Sequence, residues 1–115
     1  MRTQSKGKLL RIYISESDKY NGLSLYRLIV EQAKKLEMAG ITVYRGIEGF
    51  GGHHSLHTTH IFRLSDNLPI VLEIIDSEEK IEQFISNIEK FINDGLIITQ
   101  ENINIIKFTD EKESR

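Results

Sequence analysis

The chain has 115 residues, 39% of them hydrophobic and 28% charged, with a formal net charge of −2 and no cysteine. That size fits one domain around one core, read as residues 1–115 with the core over 8–108 and a charged tail over 109–115. Weak acidity without a dense Lys/Arg run argues against nucleic acid as a partner, and the missing cysteines exclude disulfides, thiolate metal sites and a cysteine nucleophile.

Residues 1–8 are polar and basic and lack a signal-peptide pattern, and no later run reaches the roughly 20 apolar residues of a membrane helix. A cytoplasmic chain with no direct membrane insertion is expected. In residues 9–14, Leu10, Ile12 and Ile14 alternate with Leu9 and Tyr13, which predicts a strand with apolar character on both faces. A polar loop over 15–22 follows, with Asn21 or Ser24 available as a helix N-cap. Leu25, Leu28, Ile29, Ala33 and Leu36 then recur at helical spacing, and Gly40 is the expected stop of that helix. Residues 41–45 are rich in β-branched and aromatic side chains and form a second strand that runs into a glycine-rich loop. Extended character resumes at 61–64. Residues 65–69 read as a turn, with Pro69 suited to the first position of the next strand. The most apolar run, 70–75, is interrupted only by Glu73. Asp76, Ser77, Glu78 and Glu79 read as a capping box in which Asp76 caps and Glu79 reaches back. Ile81, Phe84, Ile85, Ile88, Phe91 and Ile92 mark a second amphipathic helix, ended by 93–95. Residues 96–99 and 103–108 supply extended chain on either side of a polar break at 100–102.

The order strand, helix, strand, strand, helix, strand predicts an α+β, ferredoxin-like βαββαβ sandwich. Right-handed crossovers would place two helices on one face of a four-stranded antiparallel sheet. A sheet with one solvated face alternates apolar and polar residues, yet 9–14 and 70–75 carry apolar residues at consecutive positions. No spare element remains to cover the second face, so a homo-oligomer with sheets packed on neighbouring subunits is expected.

Residues 45–60 hold half of the eight glycines and all four histidines, and are the expected place of recognition. Gly46, Gly49, Gly51 and Gly52 can offer backbone N–H groups to an anion, or simply shape a bulged strand end. Arg45 can pair a phosphate and Glu48 a ribose or cation; both residue types also form ordinary surface ion pairs. His53, His57 and His60 could hold zinc or copper with an open position, against the more common reading of histidines that make ligand or partner contacts. Tyr13, Tyr44 and Phe50 can stack a base or serve as core and interface aromatics. No nucleophile elbow and no forced carboxylate pair is present, so no enzymatic activity and no required cofactor are expected.

The sequence resembles the PII-like signalling proteins, most closely their small branch of unknown function. The resemblance is carried by residues 8–13, by 42–51 with its Arg-Gly-Ile-Glu-Gly-Phe-Gly run, by 68–76 and by Asp94-Gly95-Leu96, and covers nearly all of 8–108. It implies a homotrimer that holds a nucleotide-type ligand between subunits and signals through the loop after the second strand. Gly49, Phe50 and Gly51 match the Gly-Phe-Gly of the PII nucleotide cleft, Asp94 and Gly95 match part of its second phosphate-side loop, and Lys107 falls near a PII phosphate-binding arginine. The short interval 52–60 has no modifiable tyrosine, Leu96 stands where PII proteins carry a phosphate-binding lysine, and no counterpart of their 2-oxoglutarate glutamine is found. The implied ligand is therefore an AMP- or ADP-type effector or another anion, held by Arg45, Glu48, Gly49, Phe50, Gly51, Gly52, His53, His57, Gly95 and Lys107. The implied protein partner is a regulated membrane transporter or another protein. The alternatives are a metal-binding trimer that uses His53, His57 and His60, and a structural interaction module.

Overall fold

A computed structural model describes residues 1–49, 68–92 and 96–110. Strand β1 (Arg2–Ser15) leads into a two-residue hairpin, β2 (Lys19–Tyr20) and β3 (Leu23–Ser24), and then α1 (Leu25–Lys35) and β4 (Gly40–Arg45). Beyond the loop come β5 (Pro69–Asp76), α2 (Glu78–Ile88), a 3-10 turn (Glu89–Phe91) and β6 (Ile97–Phe108). The sheet order is β4-β5-β1-β6 with every neighbouring pair antiparallel, the βαββαβ arrangement expected from the element order.

The core lies between the two helices and one face of the sheet. From β1 it takes Leu10, Ile12 and Ile14, from β5 Ile70, Leu72 and Ile74, each at most 6% exposed. Alternation puts these residues on one side because strand side chains have period two. Helix α1 adds Leu25, Ile29 and Ala33, and α2 adds Ile81, Phe84 and Ile88, at the i, i+3 and i+4 spacings of an amphipathic helix. Phe91 closes one end, with Tyr20 edge-on at a ring separation of 5.1 Å. The β2–β3 hairpin that carries Tyr20 turns at Asn21 and Gly22, whose φ values of 50° and 81° suit a two-residue turn.

Several local expectations are corrected. Helix α1 stops before Gly40: Glu37 takes φ 54°, its N–H donates to Lys34 O and that of Met38 donates to Ala33 O, a Schellman end built without glycine. Gly40 instead opens β4. At its start Ser24 occupies the cap position without a side-chain cap bond, and its buried Oγ has no partner among the described residues. Helix α2 is capped by Ser77, whose Oγ accepts from Lys80 N–H at 3.3 Å, and not by Asp76. Asp76 is used across the fold: Oδ2 accepts from Ala39 N–H at 2.8 Å and Oδ1 from Ser77 N–H at 2.7 Å. Lys80 Nζ donates to Leu36 O, placing a cation on the negative end of α1. Strand β6 runs through residues 100–102 without a break, since Gln100, Glu101 and Asn102 pair with Leu10, Leu9 and Lys8. Pro69 is the first residue of β5, as its missing N–H suggested.

Candidate ligand site

The described head of the glycine loop sits where β4 ends beside the start of β5. Arg45 pairs with Ile70, and the N–H of Gly46 donates to Pro69 O at 2.7 Å, so the chain folds back over the proline. A Cβ on Gly46 would lie 3.1 Å from Pro69 Cγ, so this close approach explains a glycine here. Arg45 Nη2 donates to Glu16 Oε2 at 2.6 Å, and Glu16 N–H donates to Leu68 O at 2.8 Å. One end of the sheet thus gathers Glu16, Arg45, Gly46, Glu48 and Gly49. Ile97 pairs with Tyr13 two residues from the end of β1, which brings the chain after residues 93–95 to that same end. Leu96 packs against the hydrophobic core. Phe50, Gly51, Gly52, His53, His57, His60 and Gly95 lie outside the described residues. Among the described residues no three His, Cys, Asp or Glu side chains are grouped to hold a metal.

Lys107 is elsewhere. It pairs with Thr3 near the start of β1, whereas Pro69 pairs with Ser15 at its end. Twelve residues of extended chain between Thr3 and Ser15 amount to about 40 Å. Within one subunit, Lys107 and the Arg45–Gly46 turn therefore cannot touch the same small molecule.

The sheet face away from the helices carries Leu9, Arg11 and Tyr13 of β1, Val71, Glu73 and Ile75 of β5, Thr42 and Tyr44 of β4, and Ile97 and Thr99 of β6. Its centre is a chain of polar contacts that crosses all four strands. Glu73 Oε2 accepts from Arg11 Nε and from Tyr44 Oη, both at 2.9 Å, and Arg11 Nη1 donates to Glu101 Oε1 at 2.9 Å. The hydrogen bond from Arg11, then that from Tyr44, holds the Glu73 carboxyl below its ordinary range. Reciprocally, Glu73 raises the Tyr44 phenol, and Glu73 with Glu101 raises the Arg11 guanidinium. Sequence reasoning gave Arg11 and Glu73 no role. The signal was there: each interrupts an apolar run at mid-strand with opposite charge, and antiparallel pairing brings them opposite one another.

The four-stranded antiparallel sheet with two helices on one face is a ferredoxin-like βαββαβ sandwich, the fold of PII-like proteins of known structure. CPII of Thiomonas intermedia K12, a nitrogen regulatory PII-like protein solved with ADP, AMP and bicarbonate, aligns with a TM-score of 0.67 at 15% identity over 90% of this chain and 91% of its own. A PII-like signalling protein from Thermus thermophilus aligns with a TM-score of 0.59 at 23% identity, over 89% of this chain and 90% of its own. At these identities the likeness establishes the fold. The chain belongs to the DUF190 family (Uncharacterized ACR), which matches residues 7–104. It is 42% identical to a UPF0166 protein of Aquifex aeolicus over 88% of this chain and 94% of that relative. It is also 42% identical to the UPF0166 protein MJ1524 of Methanocaldococcus jannaschii, over 81% of this chain and 86% of that relative. Among the described residues no helix is long and apolar enough to cross a membrane.

Proposed function

We propose that the chain is a cytoplasmic PII-like regulatory protein that binds an adenine-nucleotide-type effector in clefts between the subunits of a homotrimer. The loop after β4 reports occupancy to a protein partner, such as a regulated transporter, and the role is binding and not catalysis. The observation that carries this reading is the separation of the ligand residues: Arg45, Gly46, Glu48 and Gly49 lie at one end of the sheet and Lys107 at the other, so only two subunits side by side can bring them to one ligand. The half-exposed apolar residues Leu9, Tyr13, Val71, Ile75 and Ile97 on the open sheet face supply a surface for such an assembly. The adenine nucleotides held by CPII point to the ligand class. Leu96, turned to the core where a phosphate-binding lysine would be needed, favours mono- or diphosphate over triphosphate.

Thermal melting with AMP, ADP, ATP and cyclic nucleotides tests it. A ligand at 100 times its Kd stabilises the folded state by about 2.7 kcal/mol, and AMP or ADP should produce that shift at lower concentration than ATP. No shift with any of them would remove the nucleotide reading.

A further inference from the structure

Glu16 is the first residue beyond β1, and its backbone is pinned on both sides. Its own N–H donates to Leu68 O at 2.8 Å. Just after it the chain turns back: Ser15 N–H donates to Asp18 Oδ2 at 2.9 Å, and Asp18 N–H donates to Ser15 O at 3.0 Å. That turn is tied in its turn to the head of α1, where Leu25 N–H donates to Asp18 O at 2.9 Å. The Glu16 side chain is 22% exposed, against 54% for the side chain of Arg45 that it meets. The carboxylate is thus the anchored member of the pair, and the long guanidinium side chain is the one with room to move.

Two further observations bear on what the pair does. The contact is a single hydrogen bond, from Arg45 Nη2 to Glu16 Oε2 at 2.6 Å. A two-pronged carboxylate contact would fix the plane of the guanidinium, whereas one bond offsets its charge and leaves that plane free to turn. The local balance of charge is the second observation. Of the side chains gathered at this end of the sheet, Glu16 and Glu48 are acidic and Arg45 is basic, and Lys107 of the same subunit lies at the far end. A phosphate that reaches Arg45 therefore meets a guanidinium already neutralised, with an anchored carboxylate beside it.

We infer that Glu16 holds Arg45 in place of a ligand phosphate and, by staying beside that phosphate once displaced, makes the site favour nucleotides of low negative charge. The inference rests on the nucleotide reading above, because Arg45 has to meet the ligand's phosphate. Anchoring carries its second half: a carboxylate that cannot swing away repels whatever takes its place, and the repulsion grows with the charge of the newcomer. Glu16 then works in the same direction as Leu96, one supplying an anion and the other withholding a cation.

The test is calorimetric titration of AMP, ADP and ATP into wild type and Glu16→Gln in magnesium-free buffer. Glutamine keeps the size of the side chain and an oxygen that accepts from Arg45, and removes only the charge. The variant should bind AMP about threefold and ATP about tenfold more tightly than wild type, so that the preference for AMP over ATP shrinks. Glu16→Asp, which retains the charge, should stay close to the wild-type preference. A Glu16→Gln protein that binds every nucleotide more weakly would make Glu16 a support that orients Arg45, and would overturn the inference. An equal change for all three nucleotides, or none, would overturn it as well and leave the nucleotide reading standing. Absence of binding to both proteins would remove the two readings together. Wild type alone gives a second measurement, which does not depend on how the variant folds. Raising salt from about 0.05 M to about 0.5 M shortens the screening length several-fold and should narrow the AMP-over-ATP preference, because a repulsion is being screened. A preference that widens or holds constant with salt would show that the surroundings do not repel the additional phosphates, and the inference would fall.

Discussion

The two faces of the central strands are built from the same residues taken alternately, and they have opposite characters. On the helix side, Leu10, Ile12, Leu72 and Ile74 are fully buried among Ile29, Phe84 and Ile88, with no polar atom to satisfy. On the other side, one residue along, apolar side chains are left half exposed around the chain from Tyr44 through Glu73 and Arg11 to Glu101. The first face holds the subunit together. The second contributes little to folding, because a partly solvated ion pair is worth modest stability, and in the proposed assembly it would add specificity by admitting only a neighbour that respects its charges.

Truncation on the two faces should make this difference measurable. Phe84→Ala removes a fully buried ring from between helix and sheet and should cost about 3–5 kcal/mol in urea denaturation. Ile75→Ala, on the open face at 37% exposure, should cost under about 1 kcal/mol for the isolated subunit and act instead on the concentration dependence of assembly. Equal losses at the two sites would mean that the open face is also a folding core. Gly7 is a sharper case, since it lies on the open side but is buried. A Cβ there would come within 2.7 Å of Asp76 O and would collide with Ile105. Gly7→Ala should therefore cost about 1–3 kcal/mol although it deletes nothing, and an unchanged urea midpoint would show that β1 and β6 are not tightly joined where Gly7 pairs with Ile103.

Much of this was legible from residue patterns. Short apolar runs at 9–14 and 70–75 and helical spacing in 25–36 and 81–92 sufficed for the element order, because a strand buried on its core face and apolar on the other reads as a short continuous run, whereas a helix packed on one face shows the 3.6-residue period. What stayed hidden depended on partners far away in sequence. Asp76 was an eligible cap beside Ser77, but Ala39 N–H claims its Oδ2 and leaves Ser77 to cap α2. Glu37 adopts the left-handed conformation for which Gly40 was the natural candidate, because the chain must turn before it joins the sheet at Gly40. Residues 1–8 read only as a polar, basic lead-in and 100–102 as a polar break, yet pairing of β1 with β6 makes both extended, a tertiary contact that outweighs weak strand propensity. For the ligand site, Arg45 and Gly46 were readable as a glycine-bearing strand end. The distance of Lys107 from them was not, since nothing in local sequence reveals that β6 runs the full length of β1.

The smallest expected effect concerns the polar chain itself. Glu73 binds its proton more weakly in the folded subunit than in the unfolded chain, because Arg11 first and Tyr44 second donate to the ionised carboxylate. A depressed carboxyl contributes stability in full above its ordinary pKa, about 4.3, and that contribution is lost as pH falls through the lower folded value. Glu73→Gln should thus be less stable than wild type at neutral pH, with the gap narrowing as acid protonates the wild-type carboxyl. Urea midpoints measured from neutrality down to about pH 3 would show it. The same variant should let the Tyr44 phenol titrate at lower pH, since the hydrogen bond to Glu73 is the main cause that raises it. A stability gap independent of pH, or a tyrosine ultraviolet titration that does not move, would mean that Arg11, Glu73 and Tyr44 are not coupled, and the open face would then be defined by its apolar residues alone.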